Sequence, residues 1–262
     1  MLSLILSTAL VVLFFMTLVF FIAQMAEDNS LVDVGWGLGF VIVALYTLGD
    51  SGVFLPRQIL VTLLVFIWGM RLAIHILSRR MGKGEDFRYK NMREKWKKKK
   101  KNVAFQSYIS IYLLQGALML VVSLPIILIN HYDMYLTDDL TYLDNIGLLI
   151  WSFGFVFEVI ADFQLSKFKQ DKKNKGKIIK HGLWKYSRHP NYFGESIMWW
   201  GIFVIAVASP NGFITMISPL LITNLLLFFS GIPLLEEKYK NNKEYQKYAK
   251  KTPVFVPNFF KK

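Results

Sequence analysis

The chain opens on Leu2–Met25, a run of 24 residues without a charge, closed by Ala26-Glu27-Asp28-Asn29. Crossing the hydrocarbon core of a bilayer takes about 20 such residues at about 1.5 Å each. The run has neither the basic lead nor the short apolar core of a cleaved signal, so it reads as a retained anchor. Six further uncharged or nearly uncharged runs follow, at about 34–48, 60–77, 103–130, 146–165, 192–208 and 213–235. The fold expected is an all-α integral membrane protein with seven transmembrane helices, a single transmembrane domain over residues 1–262. Hydrophobic residues at 54% together with a net charge of +13 exclude a disordered chain, which would be poor in apolar residues. The absence of cysteine excludes disulfides, thiolate metal sites and a cysteine nucleophile.

Charge placement orients the spans. Of the 31 Lys and Arg residues, all but Arg57 and Arg71 fall in 79–101, 167–188 and 238–262, which follow the third, fifth and seventh runs. The loop from His131 to Asn145 is acidic instead, carrying Asp133, Asp138, Asp139 and Asp144. The positive-inside rule then puts the N-terminus outside and the C-terminus in the cytoplasm, in a multi-pass protein of the cell membrane. Topogenic charge and attraction to anionic membrane lipids, at about 1 kcal/mol per basic residue, account for Lys97–Lys101. Nucleic acid is not expected as a partner, because no exposed domain interleaves aromatics with the basic residues. A monomer is expected.

Ionisable groups inside a bilayer are costly and mark sites or buried pairs. Arg71 lies in the third run, and Glu158 and Asp162 lie four apart in the fifth, on one helix face. Gln115 and Asn224 are weaker signals of the same kind. The densest polar stretch runs from Gly182 to Glu195, at the entrance to the sixth run. Pro190 suits a first helical turn, His189 then falls near the N-cap, and Asn191 and Glu195 share a face. Arg188 and His189 would meet the free N–H groups of that helix start, a ready phosphate site, and Trp184 and Tyr186 could stack on an aromatic ring. Glu236-Glu237 closes the last run, and the proline-containing tail Thr252–Phe260 is expected to be extended and to fold back over this region. Gly35-Trp-Gly-Leu-Gly39 follows no strand, so close helix packing explains it better than a dinucleotide fingerprint. The histidines, His75, His131, His181 and His189, show no ligand spacing, and no metal is expected.

Arg188-His-Pro-Asn-Tyr-Phe-Gly-Glu195, led by Gly182-Leu-Trp-x-Tyr186 and followed by Glu236-Glu237 and an aromatic tail, resembles the superfamily shared by steroid 5-alpha-reductase-like membrane enzymes and isoprenylcysteine carboxyl methyltransferases. Asp33-Val-Gly-Trp-Gly37, Arg71-Leu-Ala-x-His75 and Gly84-Glu-Asp-Phe-Arg-Tyr89 look like the bacterial branch of the reductase-like group. That resemblance implies reduction of a conjugated C=C bond in a steroid-like or other lipid or isoprenoid substrate, with NADPH as cofactor. It implies that Asp162, Tyr186, Arg188, His189, Asn191, Tyr192, Glu195 and Glu237 hold the cofactor. Asp33 and Tyr89 stand in for the substrate-polarising pair as catalytic residues. Residues 1–130 would then form substrate-side helices and 141–262 the cofactor-binding part. The methyltransferase branch leaves an alternative, an S-adenosylmethionine-dependent lipid or isoprenoid methyltransferase.

Overall fold

Charge-free runs become helices because a helix satisfies its own backbone hydrogen bonds, which a lipid-facing segment requires. A computed structural model describes residues 1–80, 82–131 and 139–260, and every regular element among them is helical. Asp133 and Asp138 of the acidic loop, and the final two lysines, lie outside the described residues. Six segments are long and apolar enough to cross a membrane: Leu2–Met25, Leu31–Ser51, Pro56–Arg80, Val103–Val122, Tyr142–Gln170 and Gly212–Tyr239. Pro190–Val207, the sixth of the seven spans expected from sequence, is a helix of 18 residues but is not among these six. Its first two turns carry Asn191 and Glu195, which lower its hydropathy.

The chain divides into two compact units, Met1–Leu140 with Ser209–Thr215, and Thr141–Ala208 with Met216–Lys262. In the first, α1 (Leu2–Met25) buries the stripe Leu4, Thr8, Val12, Met16, Val19 and Ala23 and leaves Leu6, Leu10, Phe14 and Phe21 exposed. An exposed apolar face that large suits lipid and not water. Next, α2 (Leu31–Ser51) ends at Gly52 in the left-handed region, and α3 (Pro56–Arg80) starts on a proline. The glycines of α2 serve packing, as expected: a Cβ on Gly37 would lie 2.6 Å from the Gly69 carbonyl oxygen of α3. A basic helix, α4 (Phe87–Lys98), follows. The fourth apolar run is split. It comprises α5 (Val103–Ser107), a π-helical stretch at Tyr108–Leu113, α6 (Leu114–Val122) and α7 (Leu124–His131). Pro125 lacks the N–H that would continue α6, so the helix breaks at Ser123.

In the second unit, α8 (Tyr142–Gln170) starts with a capping box in which Asp144, fully buried, accepts from the Thr141 hydroxyl. Asp144 therefore caps a helix and is not a loop charge. Against α8 lies α9 (Pro190–Val207), antiparallel. Gly147 meets Gly201 and Gly154 meets Gly194, so closely that a Cβ on Gly154 would sit 2.6 Å from the Gly194 carbonyl oxygen. The last apolar run holds α10 (Ile217–Asn224), a π-helical stretch at Leu225–Phe229, and α11 (Ile232–Tyr239) beyond Gly231; α12 (Lys243–Ala249) and an irregular tail end the unit.

Candidate functional site

Each unit carries one polar cluster built around a carboxylate. In the first unit, Asp33 sits in the first turn of α2, where a negative charge is favoured by the helix dipole. The segment that quotes Gly84-Glu-Asp-Phe-Arg-Tyr89 is folded onto the α1–α2 turn by its own acidic residues. Glu85 accepts from the Asn29 backbone N–H at 3.1 Å and from Arg93 at 2.9 Å. Asp86 caps α4 by accepting from the Arg88 backbone N–H at 3.0 Å, and its own N–H donates to the Ser30 hydroxyl at 3.1 Å. Asp28 accepts from Ser30 and is paired with Arg80. These contacts aim the next two side chains at Asp33. The Tyr89 hydroxyl donates to Oδ1 at 2.5 Å, and Arg88 Nη2 donates to Oδ2 at 2.6 Å.

Gln115, on α6, completes the group, its Nε2 lying 3.4 Å from the Tyr89 hydroxyl. Tyr89 is 5% exposed. Burial, reinforced by the Asp33 charge, pushes its phenol well above the usual tyrosine range. Burial works against the Arg88 charge, yet Asp33, Tyr89 and Asp86 together hold that guanidinium above the ordinary arginine range. With both oxygens of Asp33 accepting, the proton of the pair resides on Tyr89. The two residues chosen from sequence are thus in direct contact, 56 positions apart along the chain. Arg88 and Gln115, which sequence reading left without a role at this cluster, are part of it.

In the second unit the centre is Glu236. Its Oε2 pairs with Arg188, and its Oε1 accepts from Tyr245 and from His189 Nε2 at 2.9 Å. His189 is the N-cap of α9, 3% exposed, and stacks on Tyr192 with rings 9° from parallel. Tyr245 is pushed up by burial and by its bond to Glu236. Glu237, beside it, turns to the surface: its side chain is 73% exposed and lies 3.5 Å from Lys240. Neighbours on a helix point about 100° apart, so only one of the two glutamates can face the Arg188–His189 turn. Trp184 is 7% exposed, with its Nε1 donating to the Ala161 carbonyl of α8 at 3.1 Å.

Asn191 donates to Asp162 at 3.2 Å, and Asp162, Glu158 and Glu195 are all buried. Tyr186 is half-buried against Phe259. The tail does fold back, as expected. The Arg188 N–H donates to the Pro253 carbonyl at 2.9 Å, Ser187 Oγ to the Phe255 carbonyl at 2.7 Å, and the Asn258 N–H to the Tyr186 carbonyl at 3.0 Å. Two depressions open beside this turn. One, of about 260 Å³, is bordered by Arg188, Lys250, Lys251 and Asn258; the other, of about 390 Å³, by Glu236, Glu237, Tyr245 and Lys240.

A family model described as "Protein of unknown function (DUF1295)" matches residues 19–252, most of the chain. No curated protein and no solved structure matches it.

Proposed function

This chain belongs to the DUF1295 family of membrane proteins, and on that footing we propose that it is a multi-pass enzyme of the cell membrane that reduces a C=C bond conjugated to a carbonyl, using NADPH. The substrate class is a steroid-like or other lipid or isoprenoid. In this reading α9 is a seventh crossing. Its 18 residues reach about 27 Å, close to the ~30 Å core. Glycine contacts with α8 let a helix with a polar first turn run alongside it. Seven crossings put the three basic segments on the cytoplasmic face and the N-terminus outside.

The observation that supports an anionic dinucleotide best is at Arg188. Its Nε is buried with no hydrogen-bond partner among the described residues, and the side chain borders the depression shared with Lys250, Lys251 and Asn258. A phosphate suits a spare guanidinium N–H beside two ammonium groups. The start of α9, with His189 at its cap, adds free backbone N–H groups. Tyr186, Asn191, Tyr192, Asp162 and Glu195 are the groups of this unit that would hold the uncharged parts, while Glu236 in place of Glu237 fixes Arg188 and His189. When bound, the nicotinamide supplies the hydride.

Tyr89 holds the proton for the substrate's carbonyl oxygen. Asp33 keeps that hydroxyl aimed until the substrate oxygen takes over the hydrogen bond, which stabilises negative charge as it develops there. Arg88 balances the Asp33 charge, so the developing enolate does not meet an uncompensated carboxylate.

One observation favours the alternative, an S-adenosylmethionine-dependent methyltransferase. The larger depression places Glu236, Glu237 and the Tyr245 ring together, a setting that attracts a sulfonium. Thermal unfolding of the detergent-solubilised chain separates the two. NADPH should raise the midpoint, and Arg188→Gln should remove that rise. Stabilisation by S-adenosylmethionine with none by NADPH would reverse the assignment.

A further inference from the structure

We propose that the outward face of the C-terminal tail is an anchor for anionic lipid at the membrane surface. The tail follows α12, which is folded against the end of the last apolar run: Tyr245 stacks on Tyr239 with ring centroids 5.2 Å apart. Three bonds from residues 253, 255 and 258 pin the tail to the Tyr186–Arg188 turn, so it is held in place and does not trail. The tail is a run of bends and turns, not the extended segment expected, and its side chains divide into a packed and an exposed set. Phe255 turns inward onto Phe193, with ring centroids 5.7 Å apart. Val254, Val256 and Phe260 are exposed, and Phe259, packed on Tyr186 by one side, leaves its other side exposed beside them.

An apolar strip of this kind is costly in water. Lys250 and Lys251 border a depression with Pro253 and Asn258 of the tail, and they and Lys247, which precedes them in the chain, are exposed and without an ion pair to any carboxylate among the described residues. Lys185, on the turn the tail covers, lies over the Tyr186 ring and is likewise unpaired with a carboxylate. Apolar side chains inserted at the boundary and ammonium groups level with the headgroups are the two halves of an interfacial anchor. The positive charge selects acidic headgroups over neutral ones. A position next to the end of a membrane-crossing segment makes lipid the occupant in preference to a soluble partner. It shares Lys250 and Lys251 with the phosphate site proposed above, and a readout taken without NADPH keeps the two separable.

The chain has no cysteine, so Val256→Cys gives a unique site for an environment-sensitive dye on the full-length protein. In nanodiscs the dye's emission should shift to shorter wavelength and be quenched by lipid carrying a spin label near the headgroup. Both effects should be larger in phosphatidylcholine mixed with phosphatidylglycerol than in phosphatidylcholine alone. Lys250→Glu with Lys251→Glu should abolish that difference. Phe260→Cys serves in place of Val256→Cys if that variant does not fold. Aqueous emission in both lipids overturns the proposal. So does a shift indifferent to phosphatidylglycerol. Disulfide formation between two Val256→Cys copies would identify a second chain as the occupant and overturn it as well.

Discussion

Asp33 and Glu236 are handled alike by distant parts of the chain: in each, one oxygen meets an arginine and the other a tyrosine hydroxyl. What surrounds them differs. Both tyrosines are buried, and at Asp33 the arginine is shared with a second carboxylate, Asp86. At Glu236 a histidine joins the group, and Arg188 keeps one buried N–H with no partner among the described residues, beside an open depression. The two carboxylates are about equally exposed, at 22% and 26%, so the difference lies in the arginines: Arg88 is shared between two carboxylates, whereas Arg188 is the more deeply buried, at 15% against 28%.

The comparison can be broken by substitution. Tyr89→Phe should have the largest effect, lowering product formation about 10²-fold or more, the usual contribution of a positioned acid. Its unfolding midpoint should move little, and unchanged turnover would remove Tyr89 from the chemistry. Asp33→Ala should cost about 3 kcal/mol in chemical unfolding, because it strands Arg88 and a buried phenol. Glu236→Ala should cost a similar amount, about 3 kcal/mol, since Glu236 is 26% exposed against 22% for Asp33 and its loss strands Arg188, His189 and Tyr245. A loss under about 1 kcal/mol at either site would show that its carboxylate does not hold its partners in place.

Between these lies the scaffold. Gly154→Ala places a methyl against the Gly194 backbone and should cost about 1–3 kcal/mol of stability. The phenols of Tyr89, Tyr245 and Tyr248 are all raised, chiefly by burial. A raised folded-state pKa gives stability that is complete below the unfolded value of about 10 and is lost as pH rises through the folded values. Unfolding midpoints should therefore be flat with respect to these groups up to about pH 10 and fall above it, with phenolate absorbance appearing only on that falling limb. Glu237→Gln should be the smallest change, within about 0.5 kcal/mol and without effect on cofactor binding. A large loss there would return Glu237 to the site.

The positions of the apolar helices could be read directly, because an uncharged run of bilayer length has few other uses; Leu2–Met25 agrees to the residue. The turn into α9 was legible too, since Pro190 fixes where the helix starts and hence which residues flank its free N–H groups. Asp33 and Tyr89 came together through a motif resemblance, not spacing. The roles of Glu85 and Asp86 in bending that segment onto the α1–α2 turn are tertiary facts. The choice between Glu236 and Glu237 depends on a helix's rotation about its axis, which two adjacent identical residues do not report. The break at Ser123 was available from Pro125, but the surrounding hydrophobicity hid it. Gly147 with Gly154, and Gly194 with Gly201, share a seven-residue spacing. Their pairing across an antiparallel contact is decided by packing alone.

The central claim is that the chain transfers hydride to a lipid. Purified protein incubated with a lipid extract and NADPH deuterated at nicotinamide C4, on the transferred face, tests it most directly, with S-adenosylmethionine deuterated at its methyl group supplied in a parallel sample. The account predicts a lipid product carrying one new carbon-bound deuterium from NADPH, lost in Tyr89→Phe and Arg188→Gln. Lipid carrying the deuterated methyl group, with none labelled from NADPH, would contradict it.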